Sequence, residues 1–596
     1  TTNGRWILAS QEEHVGCGNT DTPNRHEESM VTRAGKATGA AEWYDNLDVI
    51  RNDGVLRVYR LVLFVSNHIY NNWFHNNVDE VKTFWANAEN ALNEYYMRDI
   101  GVKFVVLRDE KFIARTAETD LVPASLSATQ RVYRGTDELN KLIGEDAYDI
   151  GMFILPTTGD VSGMAILGGA YRKIYKGASF SVNSFPTMAH ELGHMFGSQH
   201  THYRYDSYNS EEGNGQSVMS YGVPRTFFSL VSIREIRQRL SEVHYYSDEA
   251  RENLVNVERR ENTSTNNFPF GISTKVVAPE IDTVSLRREY TIPAGTFFQF
   301  HVPVKDAAGK KLLYAAQNVG KNLGIPAIFY TFMASADSII RFEDRYQYYS
   351  WGSGKGEKLL LPKGNGTYEF GLSASNPDLT EGYQTRANHA VGYAYYRTKL
   401  NIRLDLKPFV FSNRYGINAA FYNKSLYKGG DKVTIYWDVD QEVFQSDSKV
   451  RILLSDDFGQ TFKYVLADDV PNNGQYEVTL PNVKIGKVSL PKLPSTYRGG
   501  VIKIEVKDHI VYALSHSIPF EYYEWGDDTG QFIPTGGFEV ALNPNLAPFA
   551  LTGITNHPAD DSLRRKIKYY TLTGQPVEHP TKGIYITDEG KKVVFK

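Results

Sequence analysis

The run Pro186-Thr-Met-Ala-His190-Glu191-Leu-Gly-His194-Met-Phe-Gly197-Ser-Gln-His200 constrains this chain more than any other. Two histidines four apart on a helix are separated by only ~40° around its axis and ~6 Å along it, so both imidazoles can reach one metal ion. Pro186 suits a first helical turn and Ser184 can cap it. Gly197 can take the left-handed conformation that ends a helix, after which His200 returns from another direction. Three imidazoles and an open coordination position describe a catalytic zinc site rather than a structural one.

Glu191 is next in sequence to a ligand and is placed to take a proton from a zinc-activated water and return it to a leaving amine. One catalytic Zn2+ is therefore the expected cofactor, held by His190, His194 and His200, with His202 in reserve should His200 not reach. By contrast His26-Glu27 is followed at the second ligand position by Met30 and is not a site. Downstream, Ser217-Val-Met219-Ser-Tyr221-Gly222 reads as a tight turn whose methionine is either a small core plug or, beneath a metal, its apolar floor. Tyr221 is a candidate hydrogen-bond donor to the tetrahedral intermediate, or a packing residue.

Around this motif the apolar spacing alternates between strand and helix. Leu56–Ser66 reads as a strand. Val78, Val81, Trp85, Ala88, Leu92 and Tyr95 mark a helix, with Gly101 where a C-terminal cap belongs. Strand Val102–Leu107, a helix near Glu138–Ile143 and strand Asp149–Leu155 follow, which predicts an α/β unit with a twisted, mixed and largely parallel sheet. Beyond a charged, Asn/Thr-rich linker at Arg259–Asn267 the helical pattern stops, and short strands alternate with Gly/Asn/Asp turns.

At 596 residues the chain is too long for one core. The expected division is an N-terminal segment 1–55, a catalytic domain 56–262, two all-β sandwiches at 273–406 and 407–525, and a C-terminal β domain at 526–596. A net charge of −4 argues against a nucleic-acid partner, which would require a basic surface. No apolar run approaches the ~20 residues of a membrane span. The chain opens on Thr1 without a charged-then-apolar leader, so a targeting segment is expected to have been removed or left out.

Residues 56–250 resemble the adamalysin/reprolysin branch of the metzincin metalloproteases, above all its bacterial secreted members. The resemblance rests on the first strand Arg57-Val-Tyr-Arg-Leu-Val-Leu, the histidine helix, and the turn Glu212-Gly-Asn-Gly-Gln-Ser-Val-Met-Ser-Tyr. It implies a two-lobed zinc endopeptidase acting on proteins or peptides, with an apolar S1′ pocket and an upper edge strand that pairs with extended substrate. Met164–Ala170 is the candidate edge strand. The disulfides of the animal relatives cannot form, because Cys17 is the single cysteine.

Cys17 lies in Val15-Gly-Cys17-Gly-Asn, where proenzymes of this type carry a cysteine that ligates the zinc and keeps the enzyme latent until the segment is trimmed, here near Arg25 or Arg33. The alternative is an ordinary lone thiol.

Further on, Tyr290-Thr-Ile-Pro-Ala-Gly-Thr and Leu453-Leu-Ser-Asp-Asp-Phe-Gly-Gln-Thr-Phe resemble immunoglobulin-like modules. The runs Tyr570–Gly574, Gly583–Tyr585 and Lys591–Lys596 are similar to bacterial type IX sorting domains, which implies a secreted or cell-surface protein. Calcium has no residue pattern behind it: Asp456 and Asp457 read as solvated turn charges. A second function class stays open, an adhesin whose β-sandwiches bind while the protease-like domain is an inactive scaffold.

Overall fold

The computed structural model describes, with short gaps, Ile50 and residues 52–241, 270–342, 366–412, 426–515 and 538–549, together with the strand segments 16–17, 525–526, 531–532, 569–570, 576–577, 583–587 and 592–595. The expected linker Arg259–Asn267 and the trimming positions Arg25 and Arg33 lie outside the described residues.

The first unit is an α/β domain built on β1 (Gly16–Cys17), β2 (Val55–Val65), β3 (Val102–Val106), β4 (Ile150–Ile154), β5 (Val161–Ala165), β6 (Ser179–Ser181) and β7 (Phe270–Ser273). Its sheet runs β1-β5-β6-β4-β2-β3, with β7 also on β2. The β2–β3, β2–β4 and β4–β6 pairs are parallel, while β5–β6 and β2–β7 are antiparallel. β4 is buried at every residue, as expected of a strand covered on both faces.

Helix α1 (Val78–Tyr95) starts where the Asn77 side chain accepts the Asp79 N–H at 2.9 Å, and its Val81, Trp85, Ala88 and Leu92 stripe is wholly buried. Trp85 alone contributes about 2–3 kcal/mol by leaving water, and its indole N–H is satisfied by the Leu63 carbonyl at 2.9 Å. Helix α2 runs Ala128–Ile143, ten residues longer at its start than the sequence pattern suggested. A reciprocal cap begins it: Ser127 Oγ accepts the Gln130 N–H, and Gln130 Oε1 accepts the Ser127 N–H. Helices α3 (Phe185–Met195) and α4 (Leu230–Ser241) complete the domain.

Two expectations are corrected. The strand expected at Met164–Ala170 is β5, Val161–Ala165, and Gly169–Tyr171 is instead a 3-10 turn. The greasier half of that run contains Gly168-Gly169, which turns the chain rather than extending it.

The downstream strands do not divide at 406/407. One six-stranded sheet draws Phe297–His301 and Ile339–Phe342 from the first expected sandwich and Lys449–Ser455, Tyr464–Pro471, Val501–Val506 and Val511–Leu514 from the second. Its joining pairs are Phe297 with Tyr512 and Phe298 with Val511. A single apolar core accordingly contains Phe298, Phe342, Phe370, Ile452 and Ile504.

A four-stranded sheet (Leu313–Asn318, Gly366–Ser375, Tyr393–Arg403 and Glu289–Pro293) has its own apolar face in that core. Ala315, Val319, Val391 and Tyr393 join the core of the α/β domain instead. β7, on the far side of the expected linker, likewise belongs to the first sheet. The α/β domain and the strand-rich region therefore share apolar surface, and a boundary near 262–273 cuts through it.

Candidate metal centre

Helix α3 begins at Ser184, whose side chain accepts the Thr187 N–H, and Pro186 stands in its first turn. It ends as foreseen: Gly197 has φ +88°, its N–H donates to the His194 carbonyl at 2.8 Å, and the Ser198 N–H donates to the Gly193 carbonyl at 3.0 Å. The turn brings His200 back over the helix.

His190, His194 and His200 are 1%, 1% and 3% exposed, and their ligand nitrogens all lie within 4.8 Å of one another. His200 Nε2 is 3.1 Å from His194 Nε2 and 3.2 Å from His190 Nε2. The Nδ1 atoms of His190 and His194 face the carbonyls of Val218 (2.7 Å) and Ser198 (2.8 Å). A carbonyl only accepts, so both Nδ1 atoms carry protons and both Nε2 atoms present lone pairs to His200. Lone pairs converging in a buried space repel one another unless a cation lies between them, and three neutral imidazoles are the donor set zinc takes. Burial first, then the imidazoles of His194 and His200, hold His190 far below the usual histidine range, which keeps it in the ligating form.

His202 is not the third member of the group. It stacks on His200 with ring centroids 5.2 Å apart and meets Tyr221 edge-on at 4.5 Å. Tyr221 brings its hydroxyl to 3.4 Å from His200 Nε2.

Glu191 is wholly buried and faces β5. A side chain at Gly163 would overlap the Glu191 carboxylate, so the bare backbone there is what allows β5 to approach it. Met219 lies under α3 in the same sense: a side chain at Gly193 would overlap its Sδ. The turn that carries it is held by the Val218 N–H to the Phe227 carbonyl at 2.7 Å and the Thr201 N–H to the Met219 carbonyl at 3.2 Å.

The backbone of Cys17 pairs in parallel with β5, with Gly16 opposite Val161 and Cys17 opposite Gly163. Its side chain lies outside the described residues. In the strand-rich region Asp457 accepts from Thr461 and Ser455, and Asp456 accepts from the Tyr464 hydroxyl, so both serve their own turn. Among the described residues the three histidines are the one group of His, Cys, Asp or Glu with metal-binding spacing.

Two buried carboxylates beside the site escaped the sequence reading. Glu211 accepts from the N–H and hydroxyl of Ser217 and from the side chains of Thr201 and Thr331, and burial pushes its carboxyl up to about 7 against those bonds. Glu235, on α4, accepts from the Ser198 hydroxyl at 3.1 Å and the Gln199 N–H at 3.2 Å. Glu211 sits in a Glu-Glu-Gly-Asn-Gly run that resembles a solvated loop, and Glu235 in Ile-Arg-Glu-Ile-Arg-Gln-Arg, which resembles a solvated helix face. Nothing in either run signals burial.

The sequence of residues 55–229 matches Reprolysin_5, of metallo-peptidase family M12. Residues 55–229 belong to that family. M12 peptidases use one zinc, and the buried three-histidine group of this M12 domain can bind it. No curated protein matches the chain.

Among solved structures, a chaperone–substrate complex is similar at 14% identity over 32% of this chain and 39% of that one, with a TM-score of 0.23. The fibronectin(III)-like modules of Clostridium thermocellum CbhA are similar at 14% over 40% and 92%, with a TM-score of 0.12. A Bacteroides ovatus mixed-linkage glucan utilization locus protein, SGBP-B, is similar at 12% over 40% and 47%, also with 0.12. Likenesses this slight carry nothing about function.

Proposed function

We propose that the chain is a secreted or cell-surface zinc endopeptidase in which Glu191 is the general base and acid, and that its N-terminal segment holds it latent through Cys17. The observation that carries the reading is the convergence of three histidine Nε2 atoms, two of them from the helix that also carries the wholly buried Glu191. Polarisation of the scissile carbonyl and acidification of the attacking water are the chemistry zinc supplies when bound.

The rest falls to the chain. An extended peptide on the β5 edge would run past Gly163, whose bare backbone faces the Glu191 carboxylate. Glu191 takes the water's proton on a carboxylate oxygen and hands it to the departing amine nitrogen. The Tyr221 hydroxyl, already beside His200, is placed to donate to the oxyanion as it forms. Latency is supported by β1, which occupies the same edge with Cys17 opposite Gly163. Export rests on the C-terminal resemblance to sorting domains.

The test is Glu191→Gln in the chain trimmed of residues 1–55, with zinc content and cleavage of a denatured protein measured together. We expect zinc retained and the rate lowered by ~10²–10⁴-fold. A variant as fast as wild type overturns the role of Glu191, and a zinc-loaded wild type that cleaves nothing favours the adhesin reading.

A further inference from the structure

The strand-rich region reaches the metal centre by two routes that meet at one side chain. Gln317, 2% exposed, belongs to the four-stranded sheet. Its Oε1 accepts the N–H of Leu230 at 2.7 Å, and its Nε2 donates to the Phe332 carbonyl at 2.8 Å. Leu230 is the first residue of α4, so Gln317 satisfies one of the N–H groups that a helix start leaves unbonded. That helix carries Glu235, which holds Ser198 and Gln199, and the Ser198 carbonyl in turn fixes Nδ1 of His194.

The second bond of Gln317 steadies the Thr331–Phe332 segment. Thr331, 2% exposed, donates its hydroxyl to Glu211. Glu211 ties together Ser217 and Thr201. Ser217 precedes Val218, whose carbonyl fixes Nδ1 of His190, and Thr201 follows His200. All three histidines are thus linked to a buried carboxylate: Glu211 accepts directly from Thr331, and Glu235 lies on the helix whose first N–H is bonded to Gln317.

We infer that the strand-rich region is a working part of the metal centre, with Gln317 and Thr331 as positioning residues that keep the three imidazoles in register. The inference rests on the zinc reading of the three histidines and does not require that peptides be cleaved. The physical reason is preorganisation. A ligand whose orienting partner is loosened binds metal less tightly, typically by 10–100-fold, and Thr331 acts two hydrogen bonds further out, through Glu211 and Ser217, which puts the effect at the lower end. Removing the hydroxyl also leaves the buried Glu211 carboxylate short of a donor, which loosens both segments it joins.

The experiment uses the zinc-loaded full chain carrying Cys17→Ala, so that latency does not mask turnover, and compares wild type at position 331, Thr331→Val and Thr331→Ser by the rate at which zinc passes to a chelator, with kcat and KM on a small peptide as a second readout. Valine keeps the shape and removes the donor, while serine keeps the donor. We expect Thr331→Val to release zinc about tenfold faster and to lose about tenfold in kcat with KM within about twofold, and Thr331→Ser to restore both. Release from Thr331→Val at the wild-type rate overturns the inference. So does equally fast release from both variants, since the cause would then be packing. If Thr331→Val fails to fold, Gln317→Met takes its place, and release at the wild-type rate from that variant is equally fatal. A wild type that holds zinc but cleaves nothing would count against the peptidase reading alone, since zinc release would still report on the positioning.

Discussion

His194 shows how much a single residue of the motif determines and how much it leaves to others. The four-residue spacing puts it on one face with His190, and the motif makes the buried three-histidine group legible from the sequence. What fixes its ring is the carbonyl of Ser198, held through Glu235 from a helix some 40 residues on, and no local pattern announces that bond. Gly163 is a second such residue. In sequence it is one glycine among many, and in space it is the gap that admits the Glu191 carboxylate. Gly163→Ala should therefore push Glu191 away without touching a ligand. A displacement of about 1 Å at a reacting group can cost about 10²-fold in rate. We predict that loss in steady-state peptide hydrolysis, with zinc content unchanged. Wild-type turnover in that variant would mean that the approach of β5 to Glu191 has no catalytic consequence.

Elements were legible where periodicity is strong and caps are present. Helix α1 has both, and it was located to within its ends. The apolar pattern marks only the last part of α2, whose start is set instead by the Ser127-x-x-Gln130 cap. β5 was misplaced because its residues are half buried and interrupted by Gly163, so its apolar signal is weaker than that of the turn after it. Pairing is a further step, since strand residues do not name their partner. The β1–β5 pair puts a cysteine backbone on the edge that an extended peptide would need, at the position facing Gly163. At this scale the prediction is latency. Cys17→Ala, or removal of residues 1–55, should raise peptide hydrolysis by at least tenfold, because a thiolate bound to zinc excludes the attacking water. Equal rates for the intact, substituted and trimmed chains would leave Cys17 an ordinary thiol and β1 a simple covering strand.

Across the whole molecule, the sequence foresaw an α/β domain followed by strands but divided those strands in the wrong place. Strand spacing and turn residues are local properties, whereas the union of Phe297–His301 with Val511–Leu514 depends on which apolar faces meet. The same holds for the α/β domain, whose core takes in Val391 and Tyr393 from the four-stranded sheet. The Tyr393 hydroxyl donates to the Asp99 carbonyl, and its backbone exchanges hydrogen bonds with Asn52. This shared apolar surface and these hydrogen bonds join the M12 domain to the strand-rich region. The central claim is that this assembly holds one zinc on His190, His194 and His200 and uses it to hydrolyse peptide bonds. The most direct measurement is zinc content and cleavage of a denatured protein, taken together on the chain trimmed of residues 1–55 and on its His200→Ala variant. About one zinc per chain and cleavage are expected in the first, and loss of both in the second, where only two imidazoles remain. A His200→Ala protein that keeps its zinc and cleaves at the wild-type rate would contradict that claim.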